Sequence, residues 1–227
     1  MLNKSLSRSF HNQAPTYHTC GFYEDEEERM QMLACYYKEG LARNELCIFV
    51  TDQKPSDLIK DLKAYGLDIG PAYKKGDFKV FPTKPTYLED GTFSSARMLD
   101  NLKAFVKEAL AMGYKGVRGG GDMYWLADKP PGWRSIGEYE AKINSFARAN
   151  KFTGICLFPM HLLDANYTQL IIMTHQHMVR AGGLHDNPYY EPMEVIKGIN
   201  QEIIDNLSQI ENWLAKIDAK KAVTASA

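Results

Sequence analysis

The chain has 227 residues, 44% of them hydrophobic and 24% charged, enough for one sizeable core with a short appendage. Its formal net charge of -1, with the signs interspersed, supplies no electrostatic footprint for a nucleic-acid duplex, so direct DNA binding is not expected. No apolar run reaches bilayer length, residues 1–17 lack the apolar core of a signal peptide, and Cys20, Cys35, Cys47 and Cys156 form no CxxC pair; a cytoplasmic protein with reduced thiols is the expectation.

In chain order, residues 1–16 read as a flexible arm, and residues 18–23 as an opening strand that runs straight into the acidic stretch Glu24 to Glu28. That layout is the strand, turn and helix of a nucleotide-binding α/β domain without its phosphate chemistry. Five consecutive carboxylates suit a helix N-terminus but repel a polyphosphate, and the glycines and lysine of a phosphate loop are missing. Met30, Leu33, Tyr37 and Leu41 mark one face of a helix over 26–43, and residues 46–50 a buried strand. A second helix over 52–65 carries Leu58, Leu62 and Tyr65 and closes at Gly66, and residues 78–81 form the next strand. Met98, Leu102, Phe105, Val106 and Leu110 define a helix over 95–112 that Gly113 ends. A strand at 116–118 leads into a glycine loop, Gly119 to Asp122, followed by a helix over 136–150 and a strand over 153–158. Alternation of this kind predicts a doubly wound α/β fold with a mainly parallel sheet between helices. Residues 168–175 read as a helix, 178–181 as a late strand and Gly182-Gly183 as a turn. Ile196, Ile203, Ile210 and Ile217, with Ile199, Leu207 and Leu214, give a terminal helix over 193–217 a heptad seam. It either meets a partner in a coiled coil or packs back on its own domain, and residues 218–227 read as a frayed tail.

The candidate chemistry lies at the strands. His18 and Cys20 share a strand face, and a first strand that ends at a ligand crevice would present both. Zinc would need two further ligands, for which Cys156 and His161 are the nearest candidates; no metal is assigned. In the pair His175 and His177, residues two apart on a helix do not face each other and cannot chelate one ion together. Asp122, beside Met123 and Trp125, suits an apolar ligand with one polar handle. No GxSxG elbow or thiol-protease signature is present, so no catalytic residue is assigned.

His18-Thr19-Cys20-Gly21-Phe22-Tyr23-Glu24, the helix ending Lys38-Glu39-Gly40-Leu41 and the strand Glu45 to Val50 together resemble the start of the MEDS domain, the methanogen/methylotroph sensory domain. Gly121-Asp122-Met123 with Trp125, Glu138-Tyr139-Glu140, Cys156, His175 and Asn187 to Pro192 are similar to its later motifs, so the resemblance spans residues 17–192. It implies a RecA/KaiC-like fold without a working phosphate loop, serving as a sensor of small hydrocarbon derivatives, as in a repressor of dichloromethane dehalogenation. The stretch before His18 is too short for a helix-turn-helix and no kinase segment follows, so output is expected through the terminal helix, as a homodimer or with a signalling partner. A RecA-like strand order would gather the strands near Cys20, Gly119 and Cys156 at one crevice. The expectation is thus a non-enzymatic signal-transduction protein binding a small organic or methylated C1-type ligand through His18, Cys20, Tyr23, Asp122, Met123, Trp125, Cys156 and His175, with no cofactor named. The alternatives are an ATPase-like protein with an unconventional loop and a metal- or thiol-dependent sensor using His18, Cys20, Cys156 and His175.

Overall fold

The computed structural model describes residues 2–162 and 165–191. Its strands are β1 (His18–Tyr23), β2 (Leu46–Val50), β3 (Phe78–Phe81), β4 (Val117–Asp122), β5 (Phe152–Pro159), β6 (His177–Arg180) and β7 (Gly183–Asp186). The helices are α1 (Lys4–Asn12), α2 (Glu26–Ala42), α3 (Pro55–Ala64), α4 (Gly70–Lys75), α5 (Thr83–Tyr87), α6 (Ser95–Ala111), α7 (Ile136–Ala149) and α8 (Ala165–Thr174). One seven-stranded sheet runs in the order β3-β2-β4-β5-β1-β6-β7, parallel except for the β6–β7 hairpin. The expected doubly wound architecture is therefore present. Strands β1, β2 and β5 are buried along their whole length, which is why they read as continuous apolar runs rather than as alternating ones.

Residues of α1, α2, α3 and α4 pack on one face of the sheet, and those of α5 to α8 on the other. Helix α2 is buried nearly all round, from Met30 through Tyr37, because it lies between the sheet and α1. The segment read as a flexible arm is thus corrected to hold a helix. Asn3 caps α1 by accepting the Leu6 N–H at 3.0 Å, and Leu6 and Phe10, one turn apart, are fully buried, with Phe10 edge-on to Tyr36 at 5.5 Å. The acidic run starts α2 as expected. Asp25 accepts the Glu28 N–H at 2.9 Å while the Glu28 carboxylate accepts the Glu24 N–H at 2.9 Å, a reciprocal cap that the helix dipole reinforces.

The glycine run 119–121 is a correction of another kind: it is strand, not loop. A Cβ on Gly121 would land on the Tyr87 hydroxyl, and one on Gly119 or Gly154 would come within 2.9 Å of the Phe152 ring. Gly120 faces the opposite layer, against the Tyr37 hydroxyl and Ile155. Glycine here lets aromatic rings approach the backbone rather than letting the chain turn. The heptad helix expected over 193–217 lies outside the described residues. No helix among the described residues is long and apolar enough to cross a membrane.

Candidate functional site

The residues singled out in the sequence separate into two places, because parallel strands share one direction. His18 opens β1, whereas Tyr23 closes it and Asp122 closes β4. At the strand ends a polar crevice of about 430 Å³ is lined by Tyr23, Arg29, Asp52, Asp122, Tyr124 and His161, among others. Its arginine is already paired, and Asp52 accepts hydrogen bonds from the Thr83 N–H and the Tyr124 hydroxyl. Arg29 grips Asp122 through a two-pronged contact, Nε to Oδ1 at 2.9 Å and Nη2 to Oδ2 at 2.6 Å, and reaches Glu26 at 2.6 Å. Asp122, expected as a ligand handle, is 1% exposed and committed to this pair.

The second place lies beneath α6 and α7. His18 and Cys20 do share a face of β1, and β5 sets Cys156 in register with Cys20, so the strands carrying Cys20, Gly119 and Cys156 are neighbours. Glu140 reaches down from α7, and His175 stands where α8 hands over to β6. The His18 Nε2 is 3.3 Å from the Cys156 thiol and 3.3 Å from Glu140 Oε2. Glu140 Oε2 is in turn 3.4 Å from the Cys156 sulfur and 3.4 Å from His175 Nε2. The His18 and His175 rings lie 4.1 Å apart. His18, Glu140 and His175 are fully buried and Cys156 is buried with them.

Burial holds the His18 imidazole neutral, well below the usual histidine range, and the neighbouring His175 pushes in the same direction. Burial also drives the Cys156 thiol well above its ordinary range, and the Glu140 carboxylate adds to the rise. A thiol in that condition is protonated and a poor nucleophile. The His175 Nδ1 donates to the Ile171 carbonyl at 2.7 Å, which fixes the tautomer and leaves Nε2 as a lone pair facing the cluster. Asn144 donates to the Thr174 carbonyl at 2.6 Å, and its side chain borders His18.

His18 and Cys156 form the polar floor of a cavity of about 50 Å³, walled by Met98, Leu102 and Phe105 of α6, Tyr139 and Ile143 of α7, and Tyr87. The bare backbone of Gly119, Gly121 and Gly154 lines the sheet side.

The other expected residues are core or crevice groups. Cys20, buried beside the cluster, donates to the His177 carbonyl at 3.7 Å. Met123 and Trp125 are buried behind the cavity, with Trp125 stacked on Tyr87 at 5.3 Å. Of the two histidines at 175 and 177, the first joins the cluster, and the second contacts Gln13 and Asp186, each at 3.1 Å. Glu140 is the member that site reasoning from sequence passed over. Its signal was a carboxylate set among Ile136, Tyr139 and Ile143 on the apolar stripe of α7, where an unpaired charge has no structural reason to be.

No curated protein matches this chain. Among solved structures it is similar to a KaiC-like protein from the hyperthermophilic archaeon Pyrococcus horikoshii, with 16% identity, a TM-score of 0.51, and coverage of 72% of this chain and 70% of that one. The likeness shows the fold. Residues 17–176 match the family model of the methanogen/methylotroph, DcmR sensory domain, and the chain therefore belongs to the MEDS family of sensory domains.

Proposed function

We propose that this sensory domain binds a small, largely apolar organic ligand in the cavity beneath α6 and α7, without turning it over, and passes occupancy to a partner. The observation that carries the reading is the cavity itself: a largely apolar space that has His18 and Cys156 at one end and few other polar groups, Thr86, Asn101 and the tyrosines Tyr87 and Tyr139, in its lining. Specific small-molecule sites combine that kind of apolar wall with a few fixed polar groups. A dry cavity of about 150 Å³ admits benzene; one of about 50 Å³ fits a molecule of one or two carbons. The ligand contacts are then His18 and Cys156 at the polar end, with Tyr87, Leu102 and Tyr139 as wall; Cys20 and His175 support the floor from behind.

A nucleotide reading has less support. The turn after β1 is acidic, its N–H groups at Glu24 and Glu28 already bond to carboxylates, and the basic Arg29 is held by Asp122. The output is proposed to run toward the chain beyond β7, since His175 joins the cluster to the start of β6. A ligand moves that equilibrium only by preferring one arrangement over the other. A cytoplasmic location accompanies this reading.

Melting temperature measured against dichloromethane, ethanethiol and benzene, with magnesium-ATP alongside, tests the proposal. A saturable rise with either small probe, absent with benzene and ATP, is expected; at a hundredfold excess over Kd the stabilisation is about 2.7 kcal/mol. A folded protein indifferent to every one- and two-carbon probe ends the cavity reading, and a rise with ATP alone moves the site to the strand-end crevice.

A further inference from the structure

We infer that His18, Glu140, Cys156 and His175 form a binding site for one divalent first-row metal ion of the zinc class, held by two imidazole nitrogens, a carboxylate oxygen and a thiolate. Geometry carries this. The four donor atoms all lie within 4.8 Å of one another, and four of the six separations are 3.3–3.4 Å. A tetrahedral zinc with bonds of 2.0–2.3 Å places its ligand atoms about 3.3–3.8 Å apart. The observed cluster needs only a slight closing to become that tetrahedron.

The unsatisfied valences point the same way. His175 Nε2, His18 Nδ1 and Glu140 Oε1 are buried without a hydrogen-bond partner, and among the described residues no lysine or arginine pairs with Glu140. A divalent cation at the centre of the four donors would answer these open valences while drawing the proton from Cys156. The second ring of contacts is that of a metal histidine: His175 is oriented by its Nδ1–H to the Ile171 carbonyl, so that Nε2 carries the free pair. Asn144, anchored to the Thr174 carbonyl, has an unpartnered Oδ1 and borders His18, where it can accept the proton on Nδ1 and leave Nε2 for the ion. A mixed nitrogen, oxygen and sulfur set favours zinc over the hard cations, with cobalt(II) as its spectroscopic substitute.

Because His18 and Cys156 also floor the cavity, the ion would form its polar end; that consequence rests on the proposed ligand site, whereas the metal site does not. The test is elemental analysis of untagged protein, followed by absorption spectra of protein produced in cobalt-supplemented minimal medium. About one equivalent of zinc-class metal is expected, with thiolate-to-cobalt charge transfer in the near ultraviolet and the visible bands of a tetrahedral site. Cys156→Ser should abolish the charge transfer and Cys35→Ser should not. Glu140→Gln, nearly isosteric, should fold by circular dichroism yet retain metal at least about tenfold more weakly. Folded wild type with no metal and no charge transfer overturns the inference, as does a charge-transfer band that survives Cys156→Ser. Melting shifts with dichloromethane on metal-free and metal-loaded protein separate the two ideas, since the cavity reading fails only if neither form responds.

Discussion

The polar crevice at the strand ends and the enclosed cluster beneath α7 differ in how their buried charges are answered. In the crevice, Arg29 and Asp122 satisfy each other in a two-pronged contact, with Glu26, Gln53 and Thr51 completing the guanidinium's partners. In the cluster, a carboxylate, two imidazoles and a thiol face one another with several polar atoms unanswered. The crevice thus carries its own internal ion pair. The open valences lie on the sheet's flank, with His18 five residues before Tyr23 at the opposite end of β1. Self-satisfied charge reads as structure, and unanswered charge beside an apolar hole reads as a place for something else.

The harshest way to break that contrast is to orphan the crevice pair. Arg29→Met leaves the Asp122 carboxylate, with its side chain 2% exposed, without its cation, and an uncompensated buried charge costs about 3–5 kcal/mol. Urea unfolding should show a loss of that size. The double variant Arg29→Met with Asp122→Leu should recover much of it, because removing both charges removes the orphan. Ligand-induced melting shifts in the double variant are expected to match wild type. A loss of the shift there, with stability restored, would place the ligand in the crevice and reverse the comparison.

A smaller effect on stability, but a larger one on binding, is expected on the cavity side. Gly121→Ala puts a methyl group against the Tyr87 hydroxyl and into the cavity; overpacking of this kind costs about 1–3 kcal/mol. The melting shift with dichloromethane should vanish. Adding Tyr87→Phe removes the clashing oxygen and should restore most of the stability, while the cavity stays partly filled and binding stays weak. Recovery of full binding in that pair would show that the sheet side of the cavity contributes nothing to the fit.

The same contrast shows what the amino-acid order could and could not disclose. Long, patterned helices such as α2, α6 and α7 are readable because their periods repeat over enough residues to outweigh chance, and β2 and β5 because they are nearly unbroken apolar runs. Helices α4 and α5, of six and five residues, are shorter than any window that could reveal them, and α1 shows only Leu6 and Phe10 as a period. Gly119 to Gly121 read as a turn because glycine's usual role is local, whereas here the cause is tertiary: rings of Tyr87, Phe152 and Tyr37 press on the strand. In the site, chemistry picked out His18, Cys156 and His175 as residue types worth attention. Their partition from Asp122 and Tyr23 depends on which end of a parallel strand each occupies, and Glu140 depends on how α7 is rotated over β1 and β5. Neither is a property of spacing along the chain.

The gentlest perturbation works as a control on both regions at once. Asn3 caps α1 on the face opposite the cavity, accepting the Leu6 N–H, donating to the Gly182 carbonyl at 3.4 Å and offering its own carbonyl to the Cys35 thiol at 3.4 Å. Asn3→Ala removes the cap and the bond to Gly182 but leaves the backbone carbonyl in place. Loss of an N-cap costs about 0.5–2 kcal/mol, and the bond to Gly182, partly solvated, adds little, so a stability loss near 1 kcal/mol is expected from urea unfolding. Neither Arg29 and Asp122 nor His18 and Cys156 touches α1, so metal content and the melting shift with dichloromethane should both be preserved. If this substitution instead weakened binding in step with stability, the effect of Gly121→Ala on binding would also be explained by general loosening of the fold, and only the Tyr87→Phe rescue would still separate occupancy of the cavity from stability of the sheet.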